Sequence, residues 1–176
     1  MKKITIILLA LLGSAVSMSS CHKDEAVVYA MTNQDFVTRA SSNIKFEIAA
    51  GNLAKNRGVS DSVKSYGNAM VSDNTKMSAA LASVASQKGY TLSANLLAAD
   101  QDKLTVLSSL NGAAFDQTYA QSMIETHQQA AALYTAAAQN NGIPDQDLRG
   151  FAFGQLSLLD FRLQGAYNLQ IIVNKH

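Results

Sequence analysis

The sequence predicts an all-α domain: four long helices arranged as two antiparallel hairpins, joined by a long crossover that contains a short helix. Three observations predict it. Apolar residues recur at alternating spacings of three and four over four separate stretches, the period of a helix face. The 176 residues include one proline, no tryptophan and many alanines, which favours long helices over a turn-rich β fold. Helix stop signals leave two short gaps with one long gap between them.

The first long helix is expected from about Asn33 to Asn56, with Thr32 or Asn33 as its cap and Gly58 as its stop. The second runs from about Ser60 to Lys88. Ser60 suits the N-cap, Asp61 the first turn, and Gly89 follows the last turn. Residues 89–112 form the crossover, and within them Ala98 to Leu110 reads as a short helix on the spacing of Leu104, Leu107 and Leu110. The third long helix extends from about Ala113 to Asn140 and ends at Asn141-Gly142. The fourth starts after Pro144, capped by Asp145, and runs to about Val173. Connections this short fold each pair of helices back on itself. A long crossover between two hairpins is ferritin-like connectivity for a four-helix bundle, as distinct from an up-down bundle with short loops throughout.

Residues 1–20 read as a secretory signal outside the fold. Lys2 and Lys3 give the basic start, Ile4 to Leu12 the apolar run, and Gly13 to Ser20 a stretch of mostly small residues. The apolar run is short of the ~20 residues a membrane span needs. The single cysteine, Cys21, stands where the small residues end. One cysteine excludes an intrachain disulfide and a multi-cysteine zinc site. Ser17-Met18-Ser19-Ser20-Cys21 resembles a bacterial lipoprotein signal, in which the cysteine is acylated and becomes the first residue after cleavage. The resemblance implies a lipid anchor at Cys21, each buried CH₂ of which contributes about 0.8 kcal/mol. His22-Lys23-Asp24-Glu25 resembles the short charged signal that carries some lipoproteins to the cell surface, and also fits a plain solvated tether over 21–32. The bundle domain is expected over 33–176.

Charge excludes one class of function. Charged residues are 15% of the chain and the formal charge is +1, where a nucleic-acid binder needs a basic excess. Cleavage after Ser20 would remove Lys2 and Lys3 and turn the balance of 14 basic against 13 acidic residues slightly acidic.

Those few charges are placed unusually. The expected seam of the first helix is Val37, Ala40, Ile44, Glu47, Gly51 and Ala54. In the second it is Val63, Tyr66, Met70, Asp73, Met77, Ala80 and Val84. In the third long helix it is Ala120, Met123, His127, Ala130, Tyr134 and Ala137, and in the fourth Leu148, Phe151, Gln155, Leu158, Arg162, Gly165 and Leu169. Each stripe carries one ionisable residue near mid-length. Side-by-side packing would bring Glu47, Asp73, His127 and Arg162 into one layer, where buried charges must be paired or bound to metal.

Two readings compete for that layer. One is a metal site, with Fe, Mn or Zn held by Glu47, Asp73 and His127. Di-iron bundles use Glu-x-x-His on two helices plus a Glu on each of the others. This chain has no Glu-x-x-His, and Glu125 and His127 are two apart and do not share a face. The other reading is an ion-pair network, with Arg162 between Glu47 and Asp73 and His127 as a hydrogen-bonding partner. Ligand count favours the network, so no cofactor is expected.

From Asn33 to Leu169 the chain resembles the ferritin-like domain-of-unknown-function family 4142 of bacterial envelope proteins. The matching stretches are Asp35-Phe36-Val37, then Phe46-Glu47-Ile48-Ala49-Ala50-Gly51-Asn52-Leu53-Ala54, then Val63 through Asn74. Phe115-Asp116-Gln117-Thr118-Tyr119 with His127, and Leu156-Ser157-Leu158-Leu159, complete them. In the family a histidine usually follows the second-helix aspartate, where this chain has Asn74. Another usually stands at Arg162, after a Leu-Pro whose proline is Ser157 here. The resemblance implies an envelope location, and a metal layer from which two histidines are missing.

Other chemistry is weaker. No phosphate loop, nucleophile elbow or zinc-protease motif occurs. Asp100, Asp102, Asp145 and Asp147 lie near helix starts and suit capping. Tyr66, Tyr119, Tyr134 and Tyr167 suit the core. The chain is therefore expected to be a non-enzymatic outer-membrane lipoprotein facing the periplasm or the cell surface, with the membrane as its partner through Cys21; the alternative is a metal-binding ferritin-like protein or degenerate oxidase centred on Glu47, Asp73 and His127.

Overall fold

The computed structural model describes residues 27–175. The expected signal peptide and Cys21 lie outside them. Five helices and no strands occur among the described residues: α1 (Asn33–Arg57), α2 (Asp61–Gln87), α3 (Ala98–Ser109), α4 (Gly112–Ala138) and α5 (Gln146–Val173). None is long and apolar enough to cross a membrane.

The caps fall where side-chain chemistry puts them. Thr32 accepts from the Asp35 amide at 3.0 Å, and Ser60 from the Ser62 amide at 3.2 Å. Asp145 accepts from the amides of Asp147 and Leu148 at 2.9 and 3.0 Å. Asp100 departs from the capping expectation. It is buried, takes a 2.6 Å hydrogen bond from Ser42, and pairs with Lys103 at 2.9 Å. Ser42 in turn accepts from the Leu97 amide at 2.8 Å, so α1 caps the crossover helix and fastens it.

α1 packs on α2, and α4 on α5, as the short connections require. The hairpins meet through α1 with α4 and α2 with α5, while α3 lies on α1 and α4. The first hairpin is drawn tight by two glycines. A methyl at Gly67 would sit 2.7 Å from the Gly51 carbonyl oxygen, and one at Gly51 2.8 Å from the Gly67 oxygen. Only hydrogen fits between these backbones.

The end of the expected tether is docked. Ala30 and Met31 donate backbone hydrogen bonds to Asn141 and Gly142 at 2.8 and 3.1 Å. Asn33 then ties the start of α1 to Tyr90 and to the Asp145 amide, at 2.6 and 2.9 Å.

The core is two apolar clusters rather than one. The first gathers Phe36, Ile44, Leu81, Tyr134, Leu148 and Leu159 with their neighbours. The second gathers Phe46, Val63, Phe115, Tyr119, Met123 and Leu169. Full burial of such a side chain is worth about 1.5–3 kcal/mol, so each cluster is a substantial stabilising unit. In α1, α2, α4 and α5 alike, the division between them falls at the level of Glu47, Asn74, His127 and Arg162.

Candidate functional site: the buried polar layer

Four helices each supply one side chain to this level. Glu47 is 1% exposed, Asn74 0%, His127 0% and Arg162 2%. The Asn74 amide nitrogen donates to Glu47 Oε2 at 2.7 Å and to the Met70 carbonyl at 3.0 Å. Arg162 Nη1 donates to Asn74 Oδ1 at 3.2 Å and lies 3.6 Å from Met77 Sδ. The neutral amide thus links the carboxylate to the guanidinium.

His127 completes the layer. Its Nδ1 lies 3.4 Å from Glu47 Oε1, at ion-pair range but not aligned as a hydrogen bond. The Nε2 atom is 2.9 Å from the Tyr66 hydroxyl, which is also 3.1 Å from the Arg162 carbonyl. The Tyr66 hydroxyl thus joins a ring nitrogen of α4 to a backbone oxygen of α5.

Burial opposes the charge on Glu47 more than any other influence does. His127, Arg162 and the Asn74 amide together outweigh it and hold the carboxyl below its ordinary value. The phenols of Tyr66, Tyr119 and Tyr134 are raised, first by burial and further by the Glu47 charge. All three stay protonated. As expected from their spacing, Tyr119 and Tyr134 are core residues, whereas Tyr167 is partly exposed and accepts from Gln128 at 2.8 Å.

Asp73 is not in the layer, which corrects the reading of α2. Its side chain is 39% exposed and pairs with Lys76 on the surface at 3.7 Å. The buried stripe of α2 runs Val63, Gly67, Met70, Asn74, Met77, Leu81 and Ala85. Gly67 belongs to the buried face because its missing side chain is what lets α2 approach α1, whereas the apolar spacing picks out its neighbour Tyr66. Tyr66 lies at the edge of the stripe and Ala80 outside it. The phase also slips in the first half of α5. Ala152 and Leu159 are buried, and Leu158 is exposed. The seams expected for α1 and α4 are buried throughout.

The same displacement removes the three-ligand metal site at Glu47, Asp73 and His127. Two of those residues meet, and the Arg162 guanidinium already brings positive charge to the level where a cation would sit. The residues present do not fit a metal. Among the described residues no cluster of three or more His, Cys, Asp or Glu could hold one. Nor does Arg162 contact Asp73. The network is Glu47–Asn74–Arg162, with His127 and Tyr66 on its other side. The two positions at which the sequence departs from the family's histidines, Asn74 and Arg162, are hydrogen-bonded to each other.

Two helical hairpins closed over a sealed polar layer define an all-α protein organised around its core rather than around an open cleft. The chain belongs to the family described as a domain of unknown function, DUF4142, whose model matches residues 19–169. No curated protein and no solved structure matches it.

Proposed function

We propose that this is a non-enzymatic, lipid-anchored protein of the bacterial outer membrane, tethered through acylated Cys21, whose ferritin-like four-helix bundle uses its buried polar layer to fix helix register. One observation carries the reading. Side chains from α1, α2 and α5 hydrogen-bond to one another, with His127 of α4 at 3.4 Å from Glu47, all at 0–2% exposure, so a substrate could reach them only if the bundle opened. A slip of any helix by one turn would bury unpaired charge against an apolar cluster, which costs several kcal/mol. Apolar residues alone would tolerate such slips more readily.

Register is tested by replacing Glu47, Asn74, His127 and Arg162 together with leucine or methionine. The variant should keep its helical circular dichroism and lose a single set of sharp amide resonances. A well-dispersed spectrum identical in pattern to wild type would end the register role. Metal analysis of the purified protein, with His127→Ala as control, should find no stoichiometric Fe, Mn or Zn. A bound metal lost in that variant would overturn the reading. For the anchor, mass spectrometry of the N-terminal peptide should find Cys21 acylated. An unmodified Cys21 would remove the lipoprotein.

A further inference from the structure

The outer face of α5 is not what an amphipathic surface helix presents. Opposite its buried stripe, the exposed positions from Gly150 to Phe161 carry one charge, Asp160. Phe153 is 70% exposed and Phe161 76%. They stand two turns apart on the side away from the core, about 12 Å along the axis. Between and before them lie Gly150 and Gly154, and a methyl added at either would meet nothing within 4 Å. Glycine is disfavoured in a helix interior, and no contact among the described residues requires it at these two positions. Gly51 and Gly67, which do face another backbone, show what glycine is for elsewhere in this fold.

We propose that this face is a self-association surface, on which α5 packs antiparallel against α5 of a second copy. Shape selects that occupant. A two-fold axis near Ser157 sets each Phe161 over the recess at Gly154 of the other copy, so knob and hole lie on one strip and complement themselves. Charge agrees. The same axis holds the two Asp160 carboxylates about 7.5 Å apart along the helices, out of like-charge contact. A lipid surface is disfavoured, because the face offers no exposed lysine or arginine to anionic headgroups. Area sets the strength. The two phenylalanines expose about 290 Å² per copy. With Leu158 and the backbone at the glycines, a pair buries roughly 1,000 Å², the lower bound for a specific interface. The dimer is accordingly weak, with Kd on the order of 10–100 µM.

The test is sedimentation velocity of the purified protein in a Cys21→Ser background, across a concentration range spanning that Kd. The mass should rise from monomer to dimer. Phe161→Glu should weaken association at least about tenfold while leaving circular dichroism and Tm in place. Gly154→Leu decides between a shaped recess and a merely sticky patch. It adds apolar surface and favours the helix, yet it should also weaken the dimer by filling the recess. Ser157→Cys in the same background should give a covalent dimer on oxidation. A monomer at every concentration overturns the proposal. So does tighter association of the Gly154→Leu variant, or binding to phosphatidylglycerol vesicles that depends on Phe161 while the protein stays monomeric.

Discussion

Asn74 donates to the Glu47 carboxylate at 2.7 Å, across the interface between α1 and α2. The same side chain accepts from Arg162 at 3.2 Å, so one neutral residue keeps a buried carboxylate and a buried guanidinium joined without direct contact. Asp73, one position earlier, faces solvent and makes only a surface pair with Lys76.

Adjacent residues of α2 should therefore respond very differently to truncation. Asn74→Ala strands a carboxylate oxygen and a guanidinium nitrogen in the core and should cost about 2–4 kcal/mol. Asp73→Ala loses an exposed pair and should stay within about 0.5 kcal/mol of wild type. Urea denaturation of the two variants measures both. An Asp73 variant as costly as the Asn74 variant would place the aspartate back in the layer.

Acid should unfold the protein partly through Glu47. The folded state holds its carboxyl below 4.5, the ordinary value, so the unfolded chain takes up the proton first as pH falls. The stability this confers is complete above about pH 4.5 and is lost as pH drops through the lower folded value. Asp145 adds to the same limb. Burial opposes its charge, but the amides of Leu148 and Asp147 and the Lys88 ammonium hold it below 3.8. Glu47→Gln should be less stable at neutral pH, yet lose less stability between about pH 5 and pH 3. Denaturation midpoints at several pH values for both proteins show the difference in slope. An equal slope would mean that Glu47 is not held ionised by the layer.

Glycine-to-alanine substitutions should change sign with position. At Gly67 or Gly51 the added methyl meets a backbone oxygen at 2.7 or 2.8 Å, so α1 and α2 must separate, at a cost of about 1–3 kcal/mol. At Gly150 or Gly154 the methyl enters open space and improves helix propensity, a gain of about 1 kcal/mol at each. Thermal melts of the four single variants, at concentrations low enough to keep the protein monomeric, should fall into two groups on either side of wild type.

Why the sequence revealed the helices more clearly than the site is visible in α2. Its limits lie within a residue of expectation because Ser60 and Gly89 act locally on backbone hydrogen bonds. Its buried face runs through Gly67, Asn74, Leu81 and Ala85, each one residue beyond the apolar spacing, because Gly67 acts through the side chain it lacks. Asn74 stands out in the sequence only as a departure from the family's histidine, and not as part of the layer. Its role depends on Glu47 and Arg162, which are 27 and 88 residues away. Glu47 and His127 are legible because in α1 and α4 the apolar spacing follows the buried face throughout, Gly51 included. In α5 the exposed Phe153 and Phe161 blur the contrast between the two faces, so the apolar spacing includes Leu158, which is exposed.

Asp116 offers a last case in which tertiary contact replaces a local signal. It lies in α4, is buried, and accepts from the backbone amides of Val59 and Ser60, at 3.1 and 2.7 Å. Those amides belong to the turn that leads into α2. The carboxylate of one hairpin thus closes the turn of the other, and at the N-terminal end of α2 its negative charge also complements the helix dipole. Asp116→Asn keeps the size but offers one acceptor oxygen without full charge, and should cost about 1 kcal/mol. Asp116→Ala leaves both amides without this partner and should cost about 2–3 kcal/mol. Hydrogen exchange separates this from a general loss of stability. Protection of the Val59 and Ser60 amides should fall ahead of protection in the middle of α2. If the two fall together, the Asp116 contact is a packing contact and does not hold the turn.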